Sequence, residues 1–176
     1  IIIYYDGEAA YGLLKAYGMT KNEKYLTAAK KAADSFIAKG LDAEHSHWMA
    51  YTFNELTKYA PEEKYFEFGL KTADSDDYSI KVYNTKSGIN SANETMNAIF
   101  EMYDRLIAGG YTCRYLETFN AQRLLKAINR RASYNLNYFM YPEYAMYFTD
   151  PKTVVNSFAV REDLFRIRID DIQHFM

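Results

Sequence analysis

Residues 5–40, YDGEAAYGLLKAYGMTKNEKYLTAAKKAADSFIAKG, decide the fold. Ala10, Leu13, Leu14 and Tyr17 follow the i, i+3, i+4, i+7 spacing of an amphipathic helix. Gly18 is expected to end it, because glycine takes up the left-handed conformation of a helix C-terminus without a Cβ penalty. Thr20 with Glu23 three residues on reads as a capping box that opens a second helix. Leu26, Ala29, Ala33, Phe36 and Ile37 line one face of that helix, and Gly40 closes it. The unit is an αα-hairpin with a very short turn.

The pattern returns along the chain. HWMAYTFNELTKYAPEEKYFEFGLKTAD (47–74) gives a helix, a turn at Pro61 and a second helix. Its first helix carries the stripe Met49, Phe53, Leu56 and Tyr59, and EKY recurs at 23–25 and 63–65. SANETMNAIFEMYDRLIAGG (91–110) is a third first helix, with Met96, Ile99, Phe100, Tyr103 and Ile107 on one face. Tyr17, Tyr59 and Tyr103 stand 42 and 44 residues apart. Glu8 and Glu94 each precede their tyrosine by nine residues, with Ala50 in the middle repeat. A period of about 40 residues with two helices per unit marks a repeat architecture.

The rest of the chain is less regular. AQRLLKAINRR (121–131) reads as a basic outer helix. The aromatic stretch 135–158 contains Pro142, which blocks a continuous helix. Asp150 before Pro151 has the form of an N-cap with proline at the first helical position. FRIRID (165–170) alternates like a short strand, and DDIQHFM (170–176) like the start of another inner helix.

Composition narrows the function. Basic and acidic residues number 21 and 23, which excludes the basic surplus of a nucleic-acid-binding protein. Cys113 stands alone, so there is neither an internal disulfide nor a cysteine-based zinc site. No apolar run has the length of a membrane span. No phosphate-binding glycine loop, GxSxG elbow or HExxH is present, so no cofactor or metal is expected. The 18 tyrosines and 11 phenylalanines suit both wide helix seams and sugar-binding surfaces. The start without methionine and the uncapped apolar end are expected of a piece of a longer chain, with 1–176 as one domain.

YDGEAAYGLLKAY, NEKYLTAAKKAADSFI, HWMAYTFNEL and RIDDIQHF together resemble the (α/α)6-toroid superfamily. That group includes six-hairpin glycosidases, unsaturated uronyl hydrolases, N-acylglucosamine 2-epimerase-like proteins and related polysaccharide lyases. The resemblance implies an all-α fold: a partial toroid of hairpins, followed by an irregular aromatic-rich segment. It implies a carbohydrate partner, anionic sugars included, and acid/base chemistry at a mouth where inner helices begin. The remainder of the ring, in a larger parent chain, is the other implied partner. The alternative function is a non-catalytic toroid module that binds glycan or a protein within a larger cell-surface or polymer-synthesis protein.

Helix starts offer unpaired N–H groups and a partial positive charge, which hold carboxylates and sugar oxygens. Asp6, Glu8, His47 and Asp170 are the acid/base candidates on that reading. Asp6 and Glu8 also fit an N-cap and a first-turn acid. Glu94 is a substrate-binding candidate by its register with Glu8, but the SANE capping box (Ser91 with Glu94) accounts for it equally. Trp48 and Tyr144 are expected to stack on a sugar, Arg168 to hold an anionic group and His174 to contact substrate. Asp170 and His174, four residues apart, share a helix face. A capping aspartate and an inward histidine explain that pair better than a metal does.

Overall fold

The computed structural model describes residues 3–44, 46–74 and 91–174. Most of these residues are helical, and the only β-pairings among them are two isolated antiparallel bridges, Phe139 with Phe158 and Val160 with Arg166. The main helices are α1 (Ile3–Thr20), α2 (Glu23–Ala38), α3 (His47–Leu56), α4 (Glu63–Asp74), α5 (Ala92–Ala108) and α6 (Ala121–Asn135). Three short helices follow: α7 (Pro142–Ala145), α8 (Pro151–Val154) and α9 (Ile169–Gln173).

The expected hairpins form: α1 packs on α2, α3 on α4 and α5 on α6. The first helices also form a row, with α3 between α1 and α5. They run parallel, because equivalent positions meet along their length. Tyr11 stacks on Tyr51 (5.4 Å between centroids), Lys15 pairs with Glu55 (3.6 Å) and Tyr17 packs edge-on against Tyr59 (5.0 Å). The matched tyrosines of the repeat are therefore neighbours in the first two units. Tyr103 packs instead against Phe100 and Phe119. Between α3 and α5 the contact is polar. Arg105 Nη1 donates to the Asn54 carbonyl (2.9 Å), Asn54 Oδ1 (2.9 Å) and Thr57 Oγ1 (3.0 Å).

Burial follows the stripes. Leu14, Phe53, Leu56, Tyr65, Phe66, Leu70 and Leu106 have no exposed surface. Side chains of this size contribute about 1.5–3 kcal/mol each when fully buried. In α5 the stripe is rotated from its expected setting. Leu106 is buried and Ile107 is 51% exposed, because the α3–α4 pair covers the Met102–Leu106 side.

Local chemistry at the helix ends departs from expectation. α1 runs past Gly18 to Thr20, and Lys21 supplies the left-handed turn residue (φ 55°). Thr20 does not cap α2, since its hydroxyl donates to the Ala16 carbonyl. Asn22 is the N-cap, accepting from the Lys24 amide. Asp6 is not an N-cap either, because helix already extends to Ile3 and places Asp6 in its first turn. FRIRID forms no strand. Leu164 and Phe165 hold φ of 52° and 57° in a tight turn, which leaves Arg166 a single bridge with Val160. Asp150 does cap α8, accepting from the Lys152 amide, with Pro151 as the first helical residue.

The segment from Leu136 to Arg168 has a small core of its own, with Tyr138, Met140, Ala145, Ala159 and Val160 buried. It brings the chain back to the helix row. α9 then sits where α1, α3 and α5 begin.

Candidate functional site

Those helix starts surround an open cleft of about 500 Å³. Its walls are Tyr4 of α1, His47 and Trp48 of α3, Ser91 before α5, and Asp170, Gln173 and His174 at α9. Backbone packing makes the convergence possible. Gly7 lies against α3 so closely that a Cβ would stand 2.8 Å from Trp48 Cβ and 3.0 Å from the Met49 nitrogen. Thr52 Oγ1 sits at the same crossing, its one proton shared between the Gly7 carbonyl (3.0 Å) and the Trp48 carbonyl of its own helix (2.9 Å). A side chain at position 7 would push the α1 and α3 starts apart.

His47 is the first residue of α3 and is 6% exposed. Its ring touches Trp48 (5.1 Å between centroids) and stands perpendicular to His174 (5.6 Å). Its Nδ1 is buried and has no hydrogen-bond partner. Burial pushes the imidazole below its ordinary pKa and His174 adds to this, while Glu94, Asp170 and Glu8 pull the other way. The resting state of His47 is neutral.

Glu94 does not serve the expected capping box. Ser91 precedes α5 with φ −69° and ψ 16°, and its side chain makes no capping bond. The Glu94 carboxylate instead accepts from Tyr51 Oη at 2.9 Å and meets His174 Nδ1 at 2.6 Å. A carboxylate only accepts, so the proton lies on His174 Nδ1. That leaves Nε2 of His174 facing Asp170 Oδ1, 3.9 Å away. Glu94 and His174 side chains are only 15% and 18% exposed, so water screens the contact little. A carboxylate holding one ring nitrogen while the other faces a cleft is an acid/base arrangement.

The sequence candidates divide by position. His47, Trp48, Asp170 and His174 line the cleft, and Glu94 backs His174. Glu8 is exposed on α1, within electrostatic reach of His47, and Asp6 is exposed two residues nearer the helix start. Arg168 precedes α9 and pairs with Asp170 at 3.5 Å. Arg166 pairs with Asp163. Tyr144 is not among the cleft residues. It lies under the Arg161 guanidinium, 4.9 Å from its ring, and beside Tyr141. His45 and the Asp171 side chain lie outside the described residues. Tyr4, Tyr51 and Gln173 were not singled out from sequence. Tyr51 carries one legible signal, since it lies one helical turn after His47. Among the described residues no group of three or more His, Cys, Asp or Glu side chains is placed to hold a metal.

Fold and cleft together define a class: an all-helical protein of repeated αα-hairpins with an imidazole- and carboxylate-lined cleft at its helix starts. No protein-family model, curated protein or solved structure matches this chain.

Proposed function

We propose that this chain is an arc of an (α/α)6 toroid that performs acid/base chemistry on a sugar, of the epimerase or lyase kind. The observation that carries the reading is the 2.6 Å Glu94–His174 contact, with the His174 ring packed edge-on against the buried His47 in the wall of one cleft. Parallel packing of α1, α3 and α5 supports the ring, since inner helices of a toroid start at one mouth. Closing it takes six hairpins, of which three are described here together with α9.

The chemistry follows from two imidazoles in different settings. His174, its Nδ1–H held by Glu94, takes a proton at Nε2 from a carbon next to the carbonyl of an open-chain sugar. The bonding pair moves into the carbonyl and gives an enolate. His47, neutral and in contact with the His174 ring, is placed to donate a hydrogen bond to the enolate oxygen, and His174 Nε2 returns the proton it took. Delivery after the enolate turns in the open cleft gives the epimer, exchange of the Nε2 proton with solvent labels the carbon, and atoms and charge balance with no cofactor. Trp48 offers its ring to the sugar, and Tyr4 closes the side wall. Hydrolysis fits less well, because it divides two roles between two carboxyl groups. Glu94 has both oxygens engaged, and Asp170 is paired with Arg168.

The test is solvent exchange. Reducing sugars, neutral and anionic, are incubated with the protein in D₂O, and loss of the proton next to the carbonyl is followed by NMR. Exchange that disappears in His47→Gln and His174→Gln is the expected result. Sugar binding without exchange, equal in wild type and both variants, sinks the catalytic reading and leaves the non-catalytic glycan module. A requirement for Asp6 or Glu8, with neither histidine needed, points back to carboxylate-based hydrolysis.

A further inference from the structure

We infer that Tyr51 is a positioning residue for His174, acting through Glu94. This rests on reading Glu94 and His174 as an acid/base pair, and it assigns a role to a side chain that lies outside the cleft walls.

The argument is one of degrees of freedom. A glutamate carboxylate turns about a broad, two-fold terminal torsion. Here each oxygen has one partner: Tyr51 Oη on Oε1 at 2.9 Å and His174 Nδ1 on Oε2 at 2.6 Å. With both engaged, the carboxylate plane is set, and so is the imidazole. The phenol ring is itself fixed. It stacks on Tyr11 (5.4 Å, 29° between planes) and meets the edges of Trp48 (5.9 Å) and His47 (6.2 Å). The line of force therefore runs from α1 and α3 through the Tyr51 ring to Glu94 on α5, and from there to His174 beside α9. α9 is short, so this contact chain orients its histidine. The titratable groups facing the chain are Tyr11 and Glu8 of α1, His47 of α3, Glu101 of α5 and Asp170 of α9. Burial, reinforced by Glu94, raises the Tyr51 hydroxyl well above its usual range. It is therefore a donor at neutral pH.

Without the hydroxyl, Glu94 keeps one partner and its carboxylate is free to turn. His174 then loses the constraint that holds its proton on Nδ1. A free neutral imidazole favours the other tautomer, with the proton on Nε2. A purely structural tyrosine would not move that balance.

The experiment is long-range ¹⁵N–¹H NMR on histidine-labelled protein, above the pH at which histidines titrate. Wild type should show His174 as the Nδ1–H tautomer. Tyr51→Phe should show loss of that form toward Nε2–H, while Tyr11→Phe leaves it unchanged. An Nδ1–H population in Tyr51→Phe equal to wild type overturns the inference and spares the acid/base reading. An Nε2–H tautomer in wild type overturns both. If Tyr51→Phe does not fold, 3-fluorotyrosine at position 51 keeps the ring and makes the hydroxyl a stronger donor. The His174 Hδ1 resonance should then move upfield, and an unmoved resonance overturns the inference.

Discussion

Replacing Gly7 with alanine tests the approach of α1 to α3 that brings the cleft walls together. The new Cβ would stand 2.8 Å from Trp48 Cβ, 3.0 Å from the Met49 nitrogen and 3.1 Å from the Trp48 carbonyl carbon. Two of these are helix backbone atoms, so no flexible side chain can swing away and the helices must part. Alanine gains about 1 kcal/mol over glycine in a helix interior. Overpacking costs about 1–3 kcal/mol. Loss of the Thr52 bond to the Gly7 carbonyl, 3.0 Å long and shared with the Trp48 carbonyl, adds up to about 1 kcal/mol. The net expectation is a destabilisation of about 1–3 kcal/mol. Gly12 lies on the same helix, is exposed, and has nothing within 4 Å of its virtual Cβ. Gly12→Ala should therefore stabilise by about 1 kcal/mol. Urea unfolding followed by the fluorescence of Trp48, the single tryptophan, measures both. Each 1 kcal/mol corresponds to roughly 2–4 °C in Tm for a chain of this size. Equal stabilisation by the two substitutions would refute the close helix crossing and the cleft geometry built on it.

Stability should also depend on His47. Burial lowers its pKa from the ordinary value of 6.5, so below that value the unfolded chain binds a proton that the folded protein refuses. Stability from this group is complete above the unfolded value and falls as pH drops toward the folded one. Urea midpoints from about pH 7.5 to 5.5 should decline in wild type and flatten in His47→Gln. Arg105→Ala should cost about 2–3 kcal/mol in chemical denaturation, since it strips three acceptors on Asn54 and Thr57 of their donor. Arg105→Lys should recover part of this. Leu164 is 95% exposed and holds φ 52°, a conformation that costs a branched residue about 1 kcal/mol or more. Leu164→Gly should raise Tm by relieving it, and an unchanged or lower Tm would place the cost elsewhere.

Much of the fold was legible because it is local. Helix periodicity depends on residues three and four apart, so Ala10, Leu14, Phe53, Leu56, Met96 and Ile99 announce their faces directly. The repeat of about 40 residues is legible for a related reason: each hairpin faces the same packing demand. Helix ends were read less well. Thr20 and Asn22 both offer an oxygen near the start of α2, and only backbone geometry decides that Asn22 caps while Thr20 bonds back to Ala16. Alternation in FRIRID promised a strand, but a strand needs a partner, and Asp163 draws Arg166 into a turn instead.

The candidate site divides along the same line. Acidic and imidazole residues at the helix starts were visible in sequence because Asp6, Glu8, His47 and Asp170 each precede or open an amphipathic stretch. Their grouping was not, since it depends on how closely α1 meets α3 and on where an irregular segment of about 30 residues returns the chain. Glu94 shows the difference most clearly. Sequence alone determined that a glutamate stands in the first turn of α5, where the helix dipole favours it. Tertiary structure decided that it does not cap that helix. Tyr51 and His174, 43 and 80 residues away, offer a half-buried carboxylate stronger partners than its own helix start does.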